Sequence, residues 1–429
     1  MTSLRSAARR VIDTVRGSGA LWTASLVLDR IVPFGVLGLW PDKTVAPEAL
    51  ARQVDAILRS WGMSPEHASI TIEHLLYADL HGIDSHGCSM LLHYHRGLLA
   101  GSLAMTPTIA VVRESATTAL VDGGGGLGHV PGDLAMKLAM AKCRESGLGA
   151  AAVRNSGHYG AAGAYASMAA QSGYIGIATT NTLTPAVVPT FGAEATLGTN
   201  PIAFAAPAAR NPPFVLDMAT STASLGTLTM AWRKGRSIPV GWALAANGAP
   251  VTNGRRAAMQ RRLTPLGSSR EMGSHKGYGL AVAVEILSSV LPGLRSGTQL
   301  TNVSETLRQA QGEQKEPTAR GSAHAEPVAA GDSQQPGAGV GVVHFFLAID
   351  PRRFRDPGEF EADLDGLIDA LHACPSLSQR QPVLVAGDPE HAAFAERRRS
   401  GIPLSRSVIE DIRTVARASG VPFTLDTNE

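Results

Sequence analysis

A chain of 429 residues with 44% hydrophobic composition has enough apolar material for more than one core, so two or three interleaved domains are expected. Its formal net charge of +2, with no long basic run, excludes nucleic acid as the implied partner and suits a small polar metabolite. Cys88, Cys143 and Cys374 form neither a paired zinc spacing nor a disulfide framework, which fits a reducing cytoplasm.

Arg5, Arg9, Arg10 and Arg16 precede a mostly apolar run from Ala20 to Trp40, the pattern of a targeting segment. Asp29 and Arg30 interrupt the run, no small-residue cleavage site is evident, and the uninterrupted stretches are too short to span a bilayer. Residues 1–46 are therefore read as an N-terminal extension or a surface amphipathic segment, with no membrane partner. From Pro47 to Trp61, Leu50, Val54, Ile57, Leu58 and Trp61 recur at helical spacing, and Ser64-Pro65-Glu66 opens a second helix with an N-cap and an N1 proline. That helix runs into the polar, glycine-bracketed loop Asp79-Leu80-His81-Gly82-Ile83-Asp84-Ser85-His86-Gly87. Leu91, Tyr94 and Leu98 continue a helical face up to Gly101, which leaves His93 and His95 on different faces and unsuited as a metal pair. Residues 109–112 and 118–121 read as short strands.

Asp122-Gly123-Gly124-Gly125-Gly126-Leu127-Gly128 contains a GxGxxG match ahead of a helix over 131–145, the pattern of a Rossmann dinucleotide site. A true fingerprint ends the next strand on an acidic residue that holds the ribose. Here that strand ends in Arg154-Asn155-Ser156, so the Rossmann reading is the lesser one.

Leu148 to Val153 reads as a buried strand and Ala161 to Gln171 as a small-residue helix, with His158 in a glycine frame between them. Strand-to-helix turns gather ligands, because helix N-termini present free N–H groups and glycines allow close approach. An isolated histidine in such a place is more often a plain loop residue, so its company decides. Tyr174 to Thr180 is another strand, followed by Thr182 and by Gly198-Thr199-Asn200-Pro201. A strand at 214–216 delivers Asp217-Met218-Ala219-Thr220-Ser221 at its end, where α/β enzymes keep polar chemistry. Arg255-Arg256 and Arg261-Arg262 read as solvated surface, with a cofactor phosphate as the lesser option. Lys276, between glycines at the start of the apolar helix Leu280 to Leu291, is placed to meet phosphate or ribose oxygens. Residues 296–340, rich in Gln, Glu, Ala, Gly and Pro, read as a disordered insertion. A strand over 341–349 follows, then helices marked by Phe360, Leu364, Leu367 and Ile368 and by Val408, Ile412 and Val415.

Taken together, DLHGIDSHG, VRNSGHYGAAGAY, FGAEATLGTNPIAFAAP, LDMATS, GSHKGYGLAVAVEILSSVLPG and HFFLAIDP resemble the malate/L-lactate dehydrogenase family, which is unrelated to the Rossmann-type lactate dehydrogenases. The resemblance covers roughly residues 47–295 and 341–420. It implies an α/β (α+β) fold in which a non-Rossmann cofactor domain on a largely antiparallel sheet is inserted in a helical domain. The cofactor domain would span 116–295, and the helical, substrate-binding domain 47–115 and 341–429. It also implies hydride transfer between NAD or NADP and a small 2-hydroxy or 2-oxo acid or cyclic imino acid, in a homodimer with sites near the subunit boundary. By motif, His158 corresponds to the proton acceptor, and Ser85 and His86 to the substrate-pocket loop. Thr182, Asp217, Met218, Ala219 and Lys276 correspond to cofactor contacts, and Thr199 and Asn200 also line the pocket.

Met90 stands where many members of the family carry an arginine suited to a substrate carboxylate, and Thr227 follows Gly226 where a lysine is common. These departures motivate a second reading, a catalytically weakened ligand-binding relative. A third is a metal-dependent hydrolase using His81, His86 and His158, against which stands the lack of an H-E-x-x-H or a cysteine pair.

Overall fold

The computed structural model describes residues 43–182, 184–233, 235–293, 341–377 and 381–426. Most of the expected N-terminal extension and all of the expected insertion at 296–340 lie outside the described residues. Strand β1 (Lys43–Val45), which the sequence reading assigned to the extension, belongs to the fold and leads into helices α1 (Pro47–Ser60) and α2 (Pro65–Leu80). Proline occupies the first turn of both helices, where its missing N–H costs nothing, and Ser64 Oγ accepts the His67 amide at 3.2 Å. Leu50, Val54, Ile57 and Leu58 are fully buried, each contributing about 2 kcal/mol. A 3-10 turn at Cys88–Met90 then leads to α3 (Leu91–Leu99), whose Leu91 and Tyr94 enter the same core.

The sheet follows: β2 (Ala110–Glu114), β3 (Thr118–Asp122), helix α4 (His129–Ser146), β4 (Leu148–Ser156), helix α5 (Ala162–Gln171), β5 (Ile175–Thr180), β6 (Ile202–Ala206) and β7 (Phe214–Met218). A lobe built from α6 (Leu225–Arg233), β8 (Ala243–Leu244), β9 (Pro250–Val251) and α7 (Gly254–Gln260) has its own small core around Val187, Leu228, Ile238 and Leu263. Helix α8 (Ser274–Glu285) widens into a π-helical turn at Ile286–Val290. The C-terminal part comprises β10 (Val342–Ile349), α9 (Glu359–His372), α10 (Asp388–Ser400), β11 (Ile402–Leu404) and α11 (Arg406–Ala418). Antiparallel pairing of β1 with β11 brings α11 back onto the core of α1 to α3, through Ile409, Ile412 and Val415.

The large sheet has seven strands in the order β2-β3-β4-β10-β5-β6-β7. Every neighbouring pair is antiparallel except β3 with β4, the opposite of the all-parallel Rossmann sheet. Residues 342–349, which the sequence reading grouped with the helical domain, form the central strand β10. Paired on both edges, β10 buries Val343, Phe346 and Ala348 in the sheet core. Its position corrects the boundary drawn at 341.

Two glycines explain why the covering helices are alanine-rich. A Cβ at Gly149 of β4 would lie 2.1 Å from the Ala139 carbonyl oxygen of α4, and one at Gly176 of β5 would lie 2.5 Å from that of Ala166 in α5. The helix backbones rest directly on the strands, so only small side chains fit between them. The glycine run after β3 is filled in the same way: Cβ atoms at Gly124 and Gly126 would lie 2.6 Å from the Thr108 oxygen and 2.5 Å from Pro107. The run packs chain against chain, and there is no phosphate cradle in it.

Candidate active site

At the end of β4 the chain turns through Gly157, His158, Tyr159 and Gly160 into α5. Gly160 has a left-handed φ of 80°, and a Cβ there would approach His129 Nε2 to 3.2 Å, so this corner is built for glycine. The corner presents His158. Its Nδ1 lies 2.8 Å from Tyr94 Oη of α3 and receives the Gly160 amide at 3.3 Å. Among the described residues none hydrogen-bonds its Nε2. Burial, reinforced by the neighbouring imidazoles of His86, His93 and His344, holds His158 well below the usual histidine range. The ring is neutral at pH 7.

The loop after α2 supplies the second imidazole. His86 stacks on His158 with ring centroids 5.5 Å apart and an interplanar angle of 27°, and its Nδ1 lies 2.8 Å from Ser85 Oγ. Burial lowers its pKa too. Gly226 at the head of α6 lies over this loop, since a Cβ there would be 3.5 Å from that of Ser85. The three residues expected from the sequence to carry the chemistry, Ser85, His86 and His158, do come together.

The proposed cofactor residues form a second group. Thr199 N–H donates to Thr182 Oγ1 at 3.3 Å, and a Cβ at Gly198 would fall 2.0 Å from that oxygen and 2.6 Å from Asn200 Oδ1. Asn200 is buried with a left-handed φ of 37°, and its Nδ2 donates to Ala281 O at 3.1 Å and to Glu285 Oε2 at 2.8 Å, both on α8. Thr220, at the end of β7, hooks onto the Thr199 and Asn200 carbonyls at 3.0 and 3.1 Å. Asn200 Oδ1 and Asn181 Nδ2 are buried without a protein partner among the described residues. These open amide groups, one acceptor and one donor, match the amide and hydroxyl groups of a nicotinamide riboside, while the Gly198 Cβ site is filled by Thr182 and Asn200 themselves. The donor set therefore fits a nicotinamide dinucleotide.

Asp217 plays a narrower part than its motif suggests. Its Oδ2 accepts the Gly163 amide at 2.7 Å, so the carboxylate caps α5 and ties β7 to the His158 corner, while burial pushes its pKa up to about 6. Met218 and Ala219 are half-buried beside it. Lys276 is exposed in the first turn of α8, with no ion-pair partner among the described residues. It stands five residues before Ala281, about 7.5 Å along the helix. No contact joins it to the imidazoles.

The metal reading loses its third histidine. His81 is sandwiched between Tyr77 and Phe394, with centroids at 3.9 and 4.8 Å, and its Nδ1 bonds the Tyr77 carbonyl at 2.8 Å. Among the described residues no three His, Cys, Asp or Glu side chains are grouped to hold a metal. His95 is buried against Trp61 at 5.6 Å, whereas His93 is exposed. Met90 packs against the helical core, and Thr227 pairs with Ser224 Oγ at 2.9 Å in the cap of α6. Three residues that touch His158 or the pocket loop had drawn no attention: Tyr94, Asp79, whose carboxylate accepts the Cys88 amide at 2.8 Å, and Arg397, which donates to the Asp79 carbonyl oxygen at 2.6 Å. Only Tyr94 carried a usable signal, a polar-tipped aromatic on the helix that follows Met90.

A sequence model of the malate/L-lactate dehydrogenase family matches residues 45–413. The chain belongs to the malate/L-lactate dehydrogenase family. As a member it is a nicotinamide-dependent oxidoreductase of small 2-hydroxy acids. It is 37% identical to a malate dehydrogenase of Pyrococcus horikoshii over 85% of this chain and 92% of that one. It is 35% identical to an L-sulfolactate dehydrogenase of Methanothermobacter thermautotrophicus, over 87% of this chain and 96% of that one. The crystal structure of malate dehydrogenase from Entamoeba histolytica superposes with a TM-score of 0.78 at 30% identity, covering 89% of this chain and 99% of that one. The mixed sheet described above is thus the sheet of the malate/L-lactate dehydrogenase family.

Proposed function

We propose that His158 is the proton acceptor in oxidation of a small 2-hydroxy acid of the malate or lactate type, and the proton donor in reduction of the 2-oxo acid or cyclic imino acid. The observation that carries this is a neutral imidazole held at Nδ1 by Tyr94, with an Nε2 that no described residue engages. Proton transfer uses the tautomer with its proton on Nδ1, donated to Tyr94 Oη at 2.8 Å; in that tautomer the longer 3.3 Å bond from the Gly160 amide is given up and the Nε2 lone pair is free to take the hydroxyl proton. Burial keeps the Tyr94 hydroxyl protonated, so it orients the ring without competing for the charge. Ser85 and His86 hydrogen-bond the substrate carboxylate or the reacting oxygen. When bound, NAD or NADP supplies the hydride acceptor or donor. Thr182, Thr199, Asn200 and the strand end Asp217-Met218-Ala219 line its site, and Lys276 meets its phosphate or ribose oxygens. The protein works as a cytoplasmic homodimer, a setting that suits its three free cysteines. The test is a nicotinamide absorbance assay with both cofactors against a panel of 2-oxo acids, 2-hydroxy acids and cyclic imino acids. Absence of any turnover by folded protein rejects the reading.

The depressed pKa of His158 sets a pH dependence. A lowered pKa means that the base stays neutral as pH falls through the range in which free imidazole titrates. In the oxidation direction, kcat/KM is expected to hold constant from pH 8 down through 6.5 and to fall only below that. In reduction, the protonated form is scarce and the rate declines steadily as pH rises. An acid limb centred at or above 6.5 in oxidation would show that His158 is not the titrating base.

Lys276→Ala is expected to raise the cofactor KM severalfold and to weaken its dependence on ionic strength, with the KM for the 2-oxo acid unchanged. Steady-state titrations at two salt concentrations check this. An unchanged cofactor KM leaves Lys276 as a mere charge at a helix start.

A further inference from the structure

Helix α10 is a surface helix with no fully buried residue, yet it bridges the loop after α2 and the start of β7. On one side it backs the loop after α2. Phe394 stacks on His81, a Cβ at Gly82 would lie 3.3 Å from that of Ala393, and Arg397 reaches across. The Arg397 guanidinium donates to the Asp79 carbonyl oxygen at 2.6 Å and forms an ion pair with the Asp84 carboxylate. Arg397 is mostly covered and Asp84 exposed, so the pair is a partly screened two-pronged fork at the rim. On the other side His391 Nε2–H donates to Pro213 O at 2.9 Å, and the Val215 amide donates to Ala386 O at 3.2 Å, which fixes the helix start to β7. Ser89 Oγ completes the frame by donating to Asp84 O at 2.6 Å.

We infer that Arg397 is a positioning residue for the Ser85–His86 loop, and that α10 is the strut that sets this loop against the start of β7, the strand whose far end carries Asp217 and Met218. Arg397 grips the loop one residue before Ser85 and at the helix end from which the loop departs. It lies outside the hydrophobic core clusters, so its loss leaves their packing in place, and its fork geometry means that lysine reproduces only part of the grip. The inference rests on the pocket role proposed above for Ser85 and His86.

Arg397→Ala, Arg397→Lys, Asp84→Asn and the Arg397→Ala/Asp84→Asn double variant test it with the 2-oxo acid of the panel that turns over fastest. The expected result is a KM for that acid raised about tenfold in Arg397→Ala and in Asp84→Asn, with no further rise in the double variant, partial recovery in Arg397→Lys and little change in the cofactor KM. Amides 82–88 exchange with solvent faster in both single variants without ligand. A folded Arg397→Ala with wild-type KM overturns the inference. So do effects of the two substitutions that multiply, or a lower melting temperature with a proportional loss of kcat at constant KM. If the wild-type protein turns over no member of the panel, the pocket reading falls, and the exchange arm still decides the strut: faster loop exchange upholds it and unchanged exchange rejects it.

Discussion

His158→Ala is expected to lower turnover by roughly two to four orders of magnitude, the range for losing a general acid-base group, equivalent to about 3–5 kcal/mol of barrier. Cofactor binding, read from quenching of protein fluorescence, should persist, because the cradle of Thr182, Thr199 and Asn200 hangs from β7 and α8 rather than from the His158 corner. The substitution also leaves Tyr94 Oη without its partner in a buried site, at a cost of about 1–3 kcal/mol in stability. Pairing it with Tyr94→Phe separates the two consequences: the double variant regains stability but not turnover. His86 cannot replace His158, since its Nδ1 is engaged with Ser85 and its ring lies stacked on the vacated position rather than in it. Turnover within about threefold of wild type would reduce His158 to an ordinary loop histidine and remove the central element of the mechanism.

What the sequence could carry depended on range. The span of α1, the Ser64 cap of α2, the helix after His158 and the apolar spacing of α11 are local signals and appear where the pattern placed them, while the strand before His158 runs three residues further, to Ser156. Local pattern alone gave His158 the odds of any loop histidine. The resemblance of several separated motifs, which no periodicity supplies, gathered Ser85, His86 and His158 into one site. The strand order was not legible, because the pairing of β10 between β4 and β5 joins residues more than 160 positions apart. Helix α10 was missed because its apolar residues are few and it buries none of them completely, so it lacks the stripe that marks a helix against a core. Asp79 and Arg397 are likewise invisible to pattern: Asp79 holds the Cys88 amide, Arg397 holds the Asp79 carbonyl oxygen and the Asp84 carboxylate, and the tertiary fold sets all three positions.

Gly87→Ala should disable the substrate loop without substituting any pocket side chain. Gly87 has a φ of −92°, outside the left-handed region, and the main constraint is one of space. A Cβ there would lie 2.0 Å from Asp79 Oδ1 and 2.2 Å from its Cγ, and the Asp79 carboxylate accepts the Cys88 amide at 2.8 Å. Either the carboxylate swings away and strands that amide, or residues 85–88 move outward. Each course costs about 1–3 kcal/mol, and an outward shift of the order of 1 Å lowers kcat/KM by roughly 10²-fold. Adding Asp79→Ala removes the obstruction, so the double variant should be less impaired than the product of the singles. The carboxylate carries a signature of its own. Burial pushes Asp79 up to about 6, so the folded protein holds that proton more tightly than the unfolded chain does. Its favourable contribution is complete below the ordinary value of 3.8 and is lost as pH rises to about 6, above which the buried charge is a standing cost. Asp79→Asn should therefore gain melting temperature relative to wild type at pH 8 by more than it does at pH 4.5. An equal difference at both values would mean that Asp79 anchors the loop by shape and hydrogen bonding alone, with its charge irrelevant.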